Sequence, residues 1–337
     1  MRRGSILALL GIGLVVGAIA TAVAVLPTWL PPDASRERGR IDFVFWFTIA
    51  ICIAIFALVV AVLVYSIIKF RAAPDDDSDG PPIHGHTGLE IVWTLIPTVL
   101  VIAIGIVSAI VLSRDDAVGK NVLHVNVTAQ QFAWSFQYPE AKNLTTGTLR
   151  LPVGRSVLLS FTALDVIHSF WVPEFGQKED TVPGLHTTLH ITPTKTGTFD
   201  VICTELCGLG HATMRTSAIV MQPAAFERWL KGQTKATTSP NASVSGAAVF
   251  KNQPCGSCHT LTAAGASGKV GPDLDKLPQW ATQAHQPLES FIRTSIVDPN
   301  AYTQPGFKKN VMPPFATLPK AQLDALVQYL IQSSKKG

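Results

Sequence analysis

Sulfur is scarce in this chain, with five cysteines and four methionines among 337 residues, and charge is thin at 15%. No internal repeat is visible, which excludes solenoid and propeller architectures. No basic stripe interleaved with aromatic residues occurs, and no nucleic-acid-binding motif, so no nucleic acid partner is expected. With so few cysteines each placement carries weight, and four of the five fall in two short runs.

The first run, CTELCGLGHATM, follows a β-like segment and places Cys203, Cys207, His211 and Met214 in one loop. Soft sulfur with imidazole suits copper and electron transfer, whereas hard cations select oxygen. A disulfide, the default for two extracytoplasmic cysteines, leaves the histidine and the methionine unexplained. A structural zinc site usually takes Cys and His alone. One more ligand is expected from another β-loop, and His168 in DVIHSFWVP, 35 residues before Cys203, has the strongest claim. His124, His186 and His190 have weaker ones, and His124 alternates with strand residues as a surface or interface group does.

The second run, CGSCH, is the attachment pattern of a c-type haem, in which Cys255 and Cys258 add to the vinyl groups and His259 ligates iron. A thioredoxin-like pair would need a βαβ context and a zinc clip a second cysteine pair, and the residues around this run supply neither. A haem that only carries electrons needs a sixth ligand, commonly Met, which raises its potential. Met312, in NVMPPF, is the one methionine beyond Met221 and is the candidate by elimination.

Apolar runs cover 6–26, 43–68 and 91–112, the last interrupted by Pro97. The second and third each exceed the roughly 20 residues that cross a bilayer. The first follows a basic start and holds Ala22-Val23-Ala24, so residues 1–30 read as a signal peptide or a first transmembrane helix, and the length of the run favours the helix. Residues 41–113 then form a transmembrane helical hairpin. Either reading puts 27–42 outside, 71–88 inside and everything after 113 outside. Lys69 and Arg71 obey the positive-inside rule, and Arg36, Arg38 and Arg40 oppose it.

Beyond the hairpin, NVLHVNV (121–127), SVLLSF (156–161), TFDVIC (198–203) and TSAIVM (216–221) alternate with period two and are separated by Pro and Gly. Residues 114–231 therefore read as an antiparallel β-sandwich. The polar, small residues 232–244 read as a flexible linker. Residues 245–337 read as a helical domain ending in an amphipathic helix at 318–333, with Leu323, Leu326, Tyr329 and Leu330 on one side. The net charge of +4 resides in this last domain, where 241–337 hold nine basic and five acidic residues while 114–231 hold ten of each. Such a surplus steers acidic partners and screens with salt.

Together with HGHTGLEIVWTLIP (84–97), QQFAWSFQYP (130–139) and DVIHSFWVPEFGQKEDTVPG (165–184), these motifs make the chain resemble cytochrome c oxidase subunit II. The form it resembles is the bacterial haem–copper oxidase subunit with a cytochrome c domain fused at the C-terminus, and the resemblance covers nearly all of 41–337. It implies a multidomain fold: a transmembrane hairpin against subunit I, an all-β cupredoxin-like sandwich with binuclear CuA, and an all-α c-type cytochrome domain. The copper ligands it implies are His168, Cys203, Cys207, His211, Met214 and the backbone carbonyl of Glu205. The Glu205 carboxylate would help bind magnesium or manganese at the subunit I boundary. Glu90, near the inner start of the second hairpin helix, becomes a candidate entrance of the proton path, with helix capping as the plainer alternative. In the aromatic stretch, relatives commonly have Trp-Tyr-Trp where this chain has Phe132-Ala133-Trp134, and the first Trp is the usual entrance for electrons from a soluble cytochrome c. Leu185 likewise stands where many relatives have Arg.

The resemblance further implies that electrons pass from cytochrome c or a cytochrome bc complex through haem c and CuA to haem a in subunit I. There oxygen is reduced to water with proton pumping, in a complex that also holds subunit III. The location implied is the bacterial plasma membrane, multi-pass, with both soluble domains extracytoplasmic. A CuA-bearing subunit of a nitric oxide reductase is the nearest alternative. A membrane-tethered electron shuttle is another, but it would need neither Glu90 nor Glu205. Quinol oxidase subunits share the hairpin and sandwich and would lack the cysteine pair.

Overall fold

The computed structural model describes residues 3–71, 75, 80, 82, 84–117, 119, 121–238, 245–253, 255–309, 311–312, 314–316 and 318–334. Much of the expected inner loop (72–74, 76–79, 81 and 83), residues 239–244 of the expected linker and Pro313 of the MPPF run lie outside the described residues. The chain divides into two compact units, 1–32 with 39–115 and 33–38 with 116–337.

The first unit consists of α1 (Arg3–Val25), α2 (Arg36–Lys69) and α3 (Thr87–Asp115), each long and apolar enough to cross a membrane. Leu14, Val62 and Val101 stand on open helix faces, which suits lipid rather than water. Gly13 and Gly17 of α1 lie against Ala61 and Ala57 of α2, small residues that let two helices approach closely. α3 runs through Pro97, and the hydroxyls of Thr94 and Thr98 donate to the carbonyls of Glu90 and Thr94 one turn back. α2 begins well before its apolar run because Ser35 caps it, accepting from Arg38 N at 3.0 Å. Two of the arginines that oppose the charge rule are engaged in tertiary bonds. Arg40 pairs with Asp115, and Arg38 Nη1 donates to Pro173 O at 3.0 Å.

In the second unit, ten strands build the sandwich: β1 (Leu123–Gln130), β2 (Ala133–Tyr138), β3 (Leu144–Thr146), β4 (Leu149–Pro152), β5 (Val157–Ala163), β6 (His168–Trp171), β7 (Lys178–Thr181), β8 (Thr187–Ile191), β9 (Gly197–Cys203) and β10 (Arg215–Met221). One sheet has the order β3-β2-β1-β5-β8 and the other β4-β10-β9-β6-β7. Period-two alternation places Leu123, Val125, Val127 and Ala129 of β1 in the core and leaves His124 outward, as expected of a surface histidine. The expectation of a purely antiparallel sandwich needs correction. β1 pairs β5 in parallel and β4 pairs β10 in parallel, and in each case several strands intervene, giving the chain length that a parallel pair requires. Segment 33–38 docks on the same body, with Ala34 N donating to Glu174 O, Thr194 N to Ala34 O and Thr192 N to the Glu37 carboxylate.

The expected linker needs correction as well, since α4 (Pro223–Thr238) runs through residues 232–238. Its Phe226 and Trp229 pack on Tyr138 of β2, and that anchored first half carries the helix onward. The last domain comprises α5 (Gly246–Asn252), α6 (Cys255–Cys258), the short hairpin β11 (Thr260–Leu261) and β12 (Ala266–Ser267), α7 (Leu277–Gln283), α8 (Leu288–Val297) and α9 (Lys320–Ser334). α9 buries Leu326, Val327 and Leu330 against Phe250, Phe291 and Ile292, the amphipathic pattern legible in the sequence.

Candidate metal centres

The copper-type residues converge at one end of the sandwich. His168 opens β6 and Cys203 closes β9, and these strands are hydrogen-bonded neighbours. His168, Cys203 and Cys207 bring one ligand atom each within 4.8 Å of one another. Cys203 Sγ lies 3.9 Å from Cys207 Sγ and 3.3 Å from the Glu205 carbonyl oxygen. Cys207 Sγ in turn lies 3.5 Å from His211 Nδ1 and 3.8 Å from Met214 Sδ. Cys203, Cys207 and Met214 are part of the sandwich core, so their positions are set by packing. Burial and the neighbouring Cys203 push the Cys207 thiol up. Burial raises Cys203 too, but His168 and the backbone at Ser169 and Glu205 outweigh it and hold that thiol below its ordinary value. Two buried sulfurs at this distance form a pair that a soft cation would complete.

His168 carries the most direct sign of a missing partner. Its Nε2 donates to Asp165 Oδ1 at 2.8 Å, while its Nδ1 is buried with no hydrogen-bond partner. A buried, unsatisfied imidazole nitrogen beside two thiols is costly unless it binds something. Asp165 also accepts from the backbone N of Gln131 at 2.7 Å, and the Gln131 side chain donates to the Cys207 carbonyl. Asp165 and Gln131 thus tie the two ligand-bearing loops together and fix the His168 tautomer. Neither was singled out from sequence for such a role, although an Asp three residues before the ligand histidine was a signal. The Phe132 ring presses on Gly210, where an added Cβ would stand 2.4 Å from the ring. Trp134 is buried and meets His168 edge-on at 6.2 Å between ring centroids.

The haem-type residues line one largely apolar cavity that includes Cys255, Cys258, His259 and Met312. His259 Nδ1 donates to Pro272 O at 2.7 Å, which leaves Nε2 available. Burial holds His259 below its usual value, so the imidazole stays neutral, the form that ligates a metal. Gly271 packs against that ring so closely that a Cβ would stand 2.4 Å away. Burial pushes the Cys255 thiol up to about 12 and raises Cys258, as expected of thiols set into an apolar wall. Thiols, a pre-oriented imidazole and a thioether around an apolar cavity suit a covalently attached haem.

The remaining candidates stand apart from both clusters. Glu205 presents its side chain to solvent, and among the described residues no other acidic or histidine group joins it in a metal cluster. Glu90 accepts from His86 N at 3.1 Å, while Leu89 N donates to His86 Nδ1, so the pair caps the start of α3. His190 is buried and bonded to Ser156, away from the copper-type cluster.

A membrane anchor, a β-sandwich with a sulfur–imidazole cluster and a helical domain with an apolar cavity lined by two thiols, an imidazole and a thioether define a class of membrane-bound redox subunits. Family models match in the same order: "Cytochrome C oxidase subunit II, transmembrane domain" over residues 25–111, "Cytochrome C oxidase subunit II, periplasmic domain" over 144–222 and "Cytochrome c" over 243–334. "Cytochrome c oxidase subunit 2" of Alkalihalophilus pseudofirmus is 32% identical over 294 residues, which cover 83% of each chain. The protein of the same name from Synechocystis is 33% identical over 286 residues, covering 71% of this chain and 86% of the relative. The periplasmic domain of subunit II of cytochrome oxidase of Bradyrhizobium japonicum, a crystal structure, is 30% identical, covers 35% of this chain and 98% of that one, and superposes with a TM-score of 0.34. The chain belongs to the cytochrome c oxidase subunit II family, in a form that carries a cytochrome c domain. It is a membrane protein with an extracytoplasmic domain and part of a haem–copper oxidase complex with subunit I.

Proposed function

We propose that this chain is the subunit through which electrons enter a bacterial cytochrome c oxidase, received from cytochrome c or a cytochrome bc complex and delivered to subunit I. Haem c, held by Cys255, Cys258, His259 and Met312, and binuclear CuA, held by His168, Cys203, Cys207, His211, Met214 and the Glu205 carbonyl, would supply one-electron transfer toward haem a. Oxygen reduction and proton pumping belong to subunit I, with subunit III as a further member of the complex. The observation that carries this reading is the convergence of five sulfur and imidazole ligands at one end of a sandwich whose neighbouring domain has a haem-attachment cavity. The residues act by holding position. Asp165 orients His168, Gln131 holds the Cys207 loop, and the β-sandwich limits movement when charge arrives.

Three finer assignments follow. The Glu205 carboxylate, turned to solvent in this chain, would take magnesium or manganese together with ligands from subunit I, since hard cations select oxygen. Glu90 at the mouth of α3 is the proposed entrance of the proton path, its capping bond keeping the carboxylate at the helix start. The domains are an N-terminal segment at 1–30 retained as a first transmembrane helix, a hairpin at 41–113, the copper domain at 114–231 continued by α4, and the cytochrome domain at 245–337. The small-residue contact of Gly13 and Gly17 with Ala61 and Ala57 favours retention of α1. The test is Cys207→Ser in the assembled complex. The mixed-valence copper signal is expected to disappear because a hydroxyl is a harder and weaker copper ligand than a thiolate. An unchanged spectrum would contradict the assignment.

A further inference from the structure

Ala133 opens β2, whose burial alternates so that Trp134, Phe136 and Tyr138 enter the core while Ala133, Ser135 and Gln137 face outward. Its outward neighbours are polar, as befits a sandwich surface. Ala133 instead forms part of the wall of the haem-type cavity, and among the described residues that line it, Ala133 alone comes from the sandwich. Two residues of the cytochrome domain, Val270 and Val311, pack against the sandwich core. They adjoin Gly271, which supports the His259 ring, and Met312. The residues flanking Ala133 reach the two copper-type loops: the Phe132 ring rests on Gly210, next to His211, and Trp134 meets His168.

We propose that Ala133 is the seat of the chain's own cytochrome domain on the sandwich, and that this seat, rather than the connecting segment, sets the separation electrons cross between the two centres. The inference rests on the electron-transfer reading above and adds an interface to it. A side chain no larger than a methyl group is the requirement at this position. It closes the cavity wall while letting Val270 and Val311 reach apolar surface, and it keeps the cytochrome domain beside Phe132 and Trp134. A larger side chain would fill the contact and lift the domain away, and tunnelling rates fall exponentially with distance. Because Ala133 points outward, a substitution there leaves the sandwich core and the ligand loops in place.

The test compares Ala133→Phe, Ala133→Lys and Ala133→Gly in the full complex, with two readouts. Hydrogen exchange at the amides of Val270 and Val311 reports the contact itself, since amides freed from an interface exchange faster. Transfer from haem c to copper after flash reduction reports its consequence. Phe and Lys are expected to speed exchange at both valines and to slow transfer by about tenfold, a modest effect beside the loss an ångström-scale misplacement can cause. Gly is expected to do neither, and the copper spectrum and haem potential should stay as in the parent. Unchanged exchange in both Phe and Lys variants overturns the proposal, and so does slower transfer accompanied by an altered copper spectrum. If the parent complex passes no electrons from haem to copper, the electron-transfer reading fails, while the exchange comparison still decides whether Ala133 is the seat.

Discussion

The two candidate metal centres of this chain are built in opposite ways. The sulfur–imidazole cluster draws four of its five side chains from the twelve residues 203–214, and the fifth from the adjacent strand β6. Its thiols and thioether belong to the sandwich core, and Asp165 and Gln131 bolt its loops together. The haem-type site takes residues more than fifty positions apart and arranges them around a cavity. Phe250, Phe291, Leu326 and Leu330 line that cavity and are also core residues of the cytochrome domain. One site is therefore preformed by packing, and the other is a core that the proposed haem would complete. The sandwich should fold without metal, whereas the cytochrome domain should depend on haem.

The sharpest way to break this contrast is to remove haem attachment. Cys255→Ser combined with Cys258→Ser is expected to abolish covalent haem and leave residues 245–337 largely unfolded, because the apolar cavity would face water. The copper signal should survive. Haem staining, hydrogen exchange across 245–337 and the copper spectrum measure all three, and a cytochrome domain that stays protected without haem would erase the distinction. A smaller effect is expected from Met312→Ala, which should lower the haem potential and open iron to carbon monoxide without unfolding the domain. A wild-type potential with no carbon monoxide binding would assign the sixth ligand elsewhere. The mildest change is Asp165→Asn, expected to weaken copper binding by about 10- to 100-fold, the usual cost of losing a carboxylate behind a ligand histidine. Copper titration of the domain, with the spectrum of the loaded site as second readout, checks it, and parental affinity would remove Asp165 from its positioning role.

What was legible in the sequence follows the same division. The copper-type loop could be read because its residues are contiguous and soft-ligand chemistry is restrictive, and His168 because it sits alone in a loop of its own. The cytochrome motif was equally plain, with Met312 reached by elimination. The strands β1, β5, β9 and β10 were visible as alternating runs, but pairing was not, since parallel partners such as β1 and β5 are chosen by the whole topology. Gln131 stayed hidden because its value lies in bonding two loops that meet only in space. Ala133 gave no signal of contact, since a small residue on a strand face looks the same whether it meets water or a second domain. Arg38 and Arg40 could be read only as charges opposing the positive-inside rule, because their partners Pro173 and Asp115 meet them only in the fold.

The central claim is that electrons reach the copper site through the fused cytochrome domain, whose nine basic and five acidic residues across 241–337 favour an acidic donor surface. Steady-state turnover of the complex lacking residues 241–337, with its native donor, tests this most directly. The account predicts that turnover is abolished while the copper spectrum is intact, and that in the full-length complex turnover falls as salt rises. Near-normal turnover of the truncated complex would show that the sandwich accepts electrons directly and would contradict it.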